Sequence, residues 1–435
     1  MTVFGAFLTV LLLVSLLLPY RWTFALLVVM CPFHATSALV VSGKYVQPYV
    51  FCELMLIMRS FLGRGAPLDM RRDRGTYETV TFLMIWGIII TFFGPQFFEG
   101  MKVVQKALDD ALLHGLVRLH FGMNNVTQIA YLLVNLMTIM CVVKNRRLIG
   151  WEFAKKAFLG AAVVSVFFGF WEYFSKITGA IPFPKEILFN SGEMYKEERM
   201  AALCLEASYF GGFVGAAVWA LAGMRNSGIY VKILLVLTAL CVIFNRSGTG
   251  IMTFLCGGFI FLYLKGIRPK YLLMGASVAL LGVLLAVQLG MWESLYTGIS
   301  EKSDSQSGEV RLFTTMCNFK IFFQTCGAGV GLGSTRSSSF LADEMACLGF
   351  IGTLLMARIF YLFGWKRKRQ LDVQYIFLYV FCVLAAQCMS VPDFSYCYFW
   401  MGMFVAAASI PFESCTEEEE EEEEEEANLA ALEVS

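Results

Sequence analysis

Long apolar segments recur along the chain, and they constrain its fold more than any other feature. A helix of about 20 apolar residues spans a bilayer, because a helix satisfies its own backbone hydrogen bonds in lipid. The chain contains thirteen segments of this kind, at 2–20, 22–42, 46–63, 78–98, 125–143, 152–176, 203–224, 229–247, 250–266, 270–291, 339–364, 372–391 and 394–412. The sequence therefore predicts an all-α polytopic membrane protein, in which residues 1–412 form one transmembrane domain of about 12–13 helices.

The C-terminal end has a different composition. Residues 413–435 contain 12 Glu, most of them in the unbroken run 417–426, and no Lys or Arg. Such a segment repels itself and has too little apolar surface to form a core, so it stays solvated. We predict an acidic disordered tail. Its charge explains why a chain that is otherwise basic has a formal net charge of zero.

The distribution of basic residues predicts which loops face the cytoplasm, because loops rich in Lys and Arg stay on that side. Basic residues follow every second apolar segment from the third onward; they are Arg59, Arg64, Arg71, Arg72, Arg74, Lys144, Arg146, Arg147, Arg225, Lys265, Arg268, Lys270, Lys366, Arg367, Lys368 and Arg369. The long loops 99–124, 177–202 and 292–338 then face the outer side, where we expect them to form a polar cavity. The acidic tail is expected in the cytoplasm.

The first segments leave the helix count open. Segment 46–63 contains Glu53 and Arg59, and each charge costs about 2.5–3.5 kcal/mol near the centre of a bilayer. If this segment spans the membrane, there are 13 helices and the N-terminus is outside. If it lies in the interface, there are 12 helices and the N-terminus is inside. The position of Arg21 favours the first alternative.

An amphipathic pattern covers residues 103–120 in the first long loop. Apolar residues recur there at helical spacing, with charged residues opposite them, including His114 and Arg118. This pattern predicts an interfacial helix that lies on the outer leaflet.

A glycine-rich segment follows a charged residue in the third long loop. The stretch RLFTTMCNFKIFFQTCGAGVGLG begins at Arg311, and its last part contains Gly327, Gly329, Gly331 and Gly333. Amides of such a segment can form an anion-binding concavity, and a helix expected to begin near Ser338 would add its partial positive charge. The guanidinium groups of Arg311 and Arg336 suit phosphate oxygens. The alternative is a re-entrant turn whose glycines only ease helix packing.

Charged residues also flank apolar helices in the second long loop and beyond. Arg199 precedes a helix, and Glu206 is expected about two turns further on, inside the apolar first half of that helix. A carboxylate there is costly unless it faces a polar cavity, so Glu206 is either a positioned base or part of an ion pair that fixes the helix end. Arg246, in FNRSGTG, either binds a ligand or snorkels to lipid headgroups.

Several motifs of other enzyme classes are missing. The chain has no GxxxxGK[ST] phosphate loop, no DxD pair and no HExxH zinc motif, and it has three His. We therefore predict no metal and no cofactor, and we expect no nucleic-acid partner.

Three motifs together resemble a known family. EASYFGGF begins at Glu206, NRSGTG ends a later apolar segment, and GFIGT begins at Gly349 after the glycine-rich loop. Arg199 lies sixteen residues before Gly215, and Arg311 lies sixteen residues before Gly327. This order resembles the bacterial O-antigen polymerase and O-antigen ligase superfamily. The resemblance covers residues 185–365, and the first 150 residues only by topology.

One departure favours the polymerase branch. Ligases of this family carry a His eleven residues before the G-x-x-G-T motif, and Ser338 stands at that position here. A serine is a much poorer base than an imidazole near neutral pH.

The resemblance implies glycosyl transfer at the periplasmic face of the bacterial inner membrane. The donor would be a glycan on undecaprenyl pyrophosphate, the acceptor another lipid-linked repeat unit, and a chain-length regulator and membrane lipid further partners. Fixed arginines would stabilise the charge that develops on the leaving pyrophosphate. The implied catalytic residues are Arg311, Arg199 and Glu206; the implied pyrophosphate ligands are Arg246, Arg336 and the four glycines; alternative bases are Asp343 and Glu344. The alternatives are an O-antigen ligase and, in another class, a lipid-linked glycan transporter or flippase.

Overall fold

The computed structural model describes residues 2–41, 44–62, 70–104, 116–179, 181–188, 199–204, 206–224, 227–266, 306–367, 373–390 and 394–410. This part of the chain is largely helical. The helices are α1 (Val3–Leu17), α2 (Tyr20–Met30), α3 (Pro48–Leu62), α4 (Met70–Phe97), α5 (Met123–Lys144), α6 (Arg146–Ile149), α7 (Trp151–Thr178), α8 (Lys185–Leu188), α9 (Ala207–Gly223), α10 (Ile229–Asn245), α11 (Gly248–Leu264), α12 (Gln306–Gln324), α13 (Phe340–Phe363), α14 (Gln374–Ser390) and α15 (Cys397–Ala408). The strands are β1 (Leu39–Val41), β2 (Lys44–Val46), β3 (Lys102–Val103) and β4 (Val117–Arg118).

Each predicted apolar segment that the structure describes contains a helix. Within the described residues, α4, α5, α7 and α13 are long and apolar enough to cross a membrane, and α1, α2, α9, α10, α11, α14 and α15 are apolar with fewer residues. These helices agree with the predicted all-α membrane fold. The predicted segment 270–291 and the acidic tail 413–435 lie outside the described residues.

The segment predicted at 22–42 is only partly helical. Helix α2 ends at Met30, two residues before Pro32, and β1 then pairs antiparallel with β2, with Leu39 opposite Val46. Proline has no backbone N–H and cannot continue the helical hydrogen-bond pattern, so the helix ends near this point.

The interfacial helix predicted over 103–120 is wrong at both of its ends. Strands β3 and β4 pair antiparallel there, with Lys102 opposite Arg118 and Val103 opposite Val117. Val103 and Leu119 are buried, and β-branched residues favour such a pleated, half-buried arrangement. Residues 105–115, the middle of the predicted helix, lie outside the described part of the chain.

The outer loop predicted over 292–338 contains a helix that the sequence does not predict, because residues Gln306–Gln324 form α12. Its buried face repeats at helical spacing but contains polar residues, among them Thr314 and Asn318. A helix whose inner face is polar lacks the apolar stripe by which amphipathic helices are recognised in a sequence.

Two short helices form the centre of the bundle. All residues of α15 are buried, and nearly all of α9. Helices that are apolar on every side occupy core positions. Close packing of α9 on α11 needs glycine: a Cβ on Gly211 would lie 3.1 Å from the Cα of Gly250, and one on Gly215 would lie 2.8 Å from the carbonyl oxygen of Gly250. The EASYFGGF and NRSGTG motifs therefore pack against each other.

The bundle has two ends with different contacts. At one end, which we call the cavity end, the Tyr49 hydroxyl of α3 donates to the Ser395 carbonyl (3.0 Å), and Asn245 of α10 donates to the Ala207 carbonyl (2.8 Å). At the other, which we call the basic end, Arg146 pairs with Asp73 in a buried contact. The described basic residues of the predicted cytoplasmic loops belong to this end; they are Arg59, Arg74, Lys144, Arg146, Arg147, Lys265 and Lys366.

Candidate functional site

A cavity of about 710 Å³, with both apolar and polar residues in its lining, opens at the cavity end. It lies between the β3–β4 hairpin, the start of α5, the segment between α12 and α13, and residues 394–395. The charged residues and the histidine in its lining are Arg118, His120, Arg336 and Asp343. Pockets of about 300–1,000 Å³ are typical of small-molecule sites, so this cavity is large enough for a diphosphate and a sugar.

Asp343 is held in place by the start of α13. Its carboxylate accepts hydrogen bonds from the Ser337 amide (3.1 Å) and from Asn318 Nδ2 (3.3 Å), and the side chain is 5% exposed. Asn318 in turn accepts from the hydroxyl of Thr335 (2.7 Å). A carboxylate in the first helical turn is stabilised by the helix dipole. The cavity therefore combines a fixed acidic group with the guanidinium group of Arg336.

Arg118 and His120 were not predicted as site residues. Both side chains are exposed, and His120 Nδ1 lies 3.1 Å from the Arg118 carbonyl oxygen. The sequence pattern had placed Arg118 on the polar face of a helix, whereas β4 brings it to the cavity. Val103, Val104 and Val117 are β-branched, and such residues favour strands, so they are the feature of the sequence that indicates a strand pair here.

Arg311 lies on α12 and is exposed, and it is not among the residues that line the cavity. Thr314 connects α12 to the segment before α13: its hydroxyl lies 3.1 Å from the Ser338 hydroxyl and donates to the Arg311 carbonyl (3.1 Å). Because Arg311 is one turn from Thr314, it stands near the segment that carries Arg336. The expected start of α13 at Ser338 or Ser339 is confirmed, since Ser339 is its N-cap residue.

The four glycines of the glycine-rich segment all have positive φ, from 74° to 91°. The amides of three of them are already used within the protein: Gly327 donates to the Phe322 carbonyl (2.8 Å), Gly329 to the Thr325 hydroxyl (3.3 Å) and Gly331 to the Cys347 carbonyl (2.9 Å). Gly333 borders the cavity. This geometry favours the alternative in which the glycines serve close packing.

The glycine-rich segment packs beside a break in α13. Gly349 has φ 68° and ψ −169° inside the helix. The amide of Phe350 donates to the Gly327 carbonyl (2.7 Å), and Trp86 Nε1 donates to the Leu348 carbonyl (2.7 Å). Backbone groups released by a helix break inside a membrane must find such partners. The GFIGT motif therefore marks the break.

A second charged group surrounds the start of α9. Glu206 is the N-cap residue of α9 and is exposed, so the prediction that it lies two turns inside the helix is wrong. The helix begins late because residues 199–204 form irregular turns, with φ 53° at Ala202. Arg246 is exposed and adopts left-handed backbone conformation (φ 49°) at the end of α10.

Asn245 brings these charged residues together. Its Nδ2 donates to the carbonyls of Met200 (2.5 Å) and Ala207 (2.8 Å). Arg199, Glu206 and Arg246 are each the sequence neighbour of one of these three residues. They therefore form one group at the cavity end, although none of them lines the 710 Å³ cavity.

Aromatic residues connect the two charged groups. The Tyr396 hydroxyl donates to the Tyr209 carbonyl (2.7 Å), and the two rings are 5.5 Å apart. Phe394 and Ser395, just before Tyr396, line the cavity. The start of α9 and the cavity thus share one wall.

Glu344, an alternative base in the sequence, does not line the cavity. Glu344 is 5% exposed and lies near Cys388 of α14 rather than on the cavity wall. The described residues contain no cluster of three or more His, Cys, Asp or Glu side chains placed to bind a metal.

We expect Asn245→Ala to lower the free energy of unfolding by about 2 kcal/mol, because two buried carbonyls lose their donor and each unsatisfied group costs about 1–3 kcal/mol. Thermal unfolding of the detergent-purified protein measures this change. Asn124→Ala is the matched control, since Asn124 is exposed. Equal melting temperatures for the two variants would contradict the role of Asn245.

No family model matches the chain, and neither a curated protein nor a solved structure does.

Proposed function

We propose that this protein is a membrane glycosyltransferase that polymerises undecaprenyl-pyrophosphate-linked oligosaccharide repeat units, as an O-antigen polymerase does. The observation that carries this proposal is the cavity of about 710 Å³ at one end of an apolar helix bundle, which Arg118, Arg336 and the buried Asp343 all line. A diphosphate needs cationic ligands, and a lipid tail needs apolar helices beside them. The motif resemblance of residues 185–365 supports the same class.

The distribution of charge supports an extracytoplasmic cavity. Lys144, Arg146 and Arg147 lie at the far end of α5 from the cavity, and Lys265 ends α11 on that side. Because basic loops stay cytoplasmic, the basic end is assigned to the cytoplasm and the cavity end to the periplasm of a bacterial inner membrane. With α1 starting at the cavity end, the N-terminus is assigned to the outer side, as in the thirteen-helix alternative.

The proposed reaction forms one glycosidic bond and breaks one. The acceptor hydroxyl oxygen attacks the anomeric carbon of the donor, and the bond from that carbon to the pyrophosphate oxygen breaks. The lipid pyrophosphate leaves with the bonding electrons, and arginines stabilise its charge. Arg336 is our first candidate for this task, with Arg311, Arg199 and Arg246 around the same end. A carboxylate takes the proton of the hydroxyl, and Asp343 is better placed than Glu206 because it lines the cavity.

We expect Arg336→Ala to reduce glycan elongation about 10–100-fold, because a hydrogen bond to a charged group contributes about 1.5–3 kcal/mol and 1.4 kcal/mol is tenfold. The assay uses purified protein in proteoliposomes with purified lipid-linked repeat units, and gels report glycan length. Arg74→Ala is the matched control, since Arg74 is exposed at the basic end and pairs with Glu78 (2.6 Å). Arg311→Ala tests the residue that the sequence favours.

The same assay separates the alternatives. Wild-type protein that transfers single units to a lipid A core acceptor, without elongation, would indicate the ligase. Movement of lipid-linked units across the bilayer without any new glycosidic bond would indicate the transporter. Unchanged elongation by Arg336→Ala would remove this residue from the proposed site.

A further inference from the structure

Glu53 is a carboxyl group inside the bundle without a counter-charge. It lies in the middle of α3 and is 0% exposed, and neither carboxyl oxygen has a hydrogen-bond partner among the described residues. No Lys, Arg or His of the described part forms a salt bridge with it. Its titratable neighbours are Cys31, directly after α2, and Cys52 and Tyr49 of α3. An isolated carboxylate in such surroundings is very costly, so a positive charge must accompany it.

Helix α5 presents two more unsatisfied oxygens on the facing side. Helices α3 and α5 pack together, and Thr138 is the neighbour of the Glu53 carboxyl. Asn135 lies one turn before Thr138 on the same face. The Thr138 hydroxyl and Asn135 Oδ1 are both fully buried and lack partners among the described residues. Four oxygen atoms that can accept hydrogen bonds or bind a cation thus come from three adjacent side chains.

A polar face of α5 connects this cluster to the cavity. Gln128 and Tyr131 line the cavity, and Asn135 and Thr138 continue the same helix face at spacings of three and four residues. With a rise of about 1.5 Å per residue, Thr138 lies about 15 Å along the helix from Gln128. On α3, Tyr49 precedes Glu53 by one turn and donates to the carbonyl of Ser395, which also borders the cavity.

We propose that Glu53, Asn135 and Thr138 form a binding site for one monovalent cation, a proton or Na⁺, that is reached from the cavity along the polar face of α5. A proton would sit on the carboxyl group itself, and Na⁺ would take oxygen ligands from all three side chains. This site is independent of the proposed glycosyl transfer, since it rests on burial and on oxygen atoms that no chemistry of the cavity explains.

Infrared difference spectroscopy of the purified full-length protein tests the proton. We expect the carbonyl band of a protonated carboxylic acid at neutral pH in the wild type. The part of this band that comes from Glu53 should be lost in Glu53→Gln and kept in the control Glu78→Gln, whose carboxylate is exposed. The band should shift in D₂O, because the site is reached from water. Glu53→Asp, which keeps a carboxyl group, should keep a displaced band if Glu53→Gln does not fold.

Thermal unfolding in NaCl and in choline chloride tests the other cation. If Na⁺ occupies the site, the wild type and Glu53→Gln show the same acid band, Na⁺ raises the melting temperature of the wild type, and Thr138→Val and Glu53→Gln lose that rise. A wild type with neither an acid band that depends on Glu53 nor a Na⁺-dependent melting temperature would overturn the proposal.

Discussion

Replacing Gly349 with alanine is expected to prevent the protein from accumulating in its folded form. Gly349 has φ 68° and ψ −169°, a region that only glycine adopts without about 1–3 kcal/mol of strain. A Cβ there would also overlap the carbonyl groups of Gly327 and Ala328, well inside 3.0 Å. Because these are backbone atoms, no side chain can move aside. The loss of stability should exceed about 4 kcal/mol, the range of the most damaging substitutions.

Fluorescence-detected gel filtration of membrane extracts measures this effect, as the height of the monodisperse peak. Gly150→Ala is the matched control: Gly150 also has an unusual backbone conformation, φ 75° and ψ 137°, but the space that its new methyl group would occupy has no other atom within 4 Å. The control carries the strain without the overlap, so its peak should be reduced far less. Equal peaks for the two variants would show that the break in α13 does not pack against the glycine-rich segment.

The helices of this protein could be predicted because their signal is local. Each apolar segment of sufficient length favours a helix wherever it lies, and the described segments contain one. Helix α12 was missed because Thr314 and Asn318 occupy its buried face. These residues are buried since they bond to Ser338 and Asp343, which belong to the following segment. A partner that is distant in sequence leaves no local pattern.

The candidate site was predictable only in part, for the same reason. Arg336 and Asp343 belong to the cavity because the segment between α12 and α13 folds back over it. Arg118 reaches the cavity through pairing with Lys102, across a separation that periodicity does not reveal. The sequence motifs predict that the glycines of the glycine-rich segment have a particular structural or binding role. Their amides donate to groups within the protein, such as the Cys347 carbonyl, so close packing is sufficient to explain why glycine occurs there.

Replacing Glu172 with alanine is expected to lower the free energy of unfolding by about 3–5 kcal/mol, the usual consequence of breaking a buried ion pair. Glu172 lies in α7, and its side chain is 1% exposed. Its carboxylate pairs with Lys176 (2.6 Å) and accepts from the amides of Ala201 (2.8 Å) and Ala202 (2.6 Å). The alanine variant leaves the two amides without this acceptor and Lys176 without its counter-charge.

The same substitution should loosen the segment that carries Arg199. Lys176 donates to the Arg199 carbonyl (2.8 Å), and Ala202 keeps a positive φ of 53° only while its amide is held. We therefore expect faster tryptic cleavage after Arg199 and reduced glycan elongation, in addition to the lower melting temperature. The control is Glu152→Ala on the same helix, because Glu152 is 55% exposed and pairs with Lys155 at 3.5 Å; exposed pairs contribute about 0–1 kcal/mol. A general loss of stability and a local release of residues 199–204 would both make cleavage after Arg199 faster. If Glu172→Ala is cleaved after Arg199 at the wild-type rate, Glu172 does not position this segment.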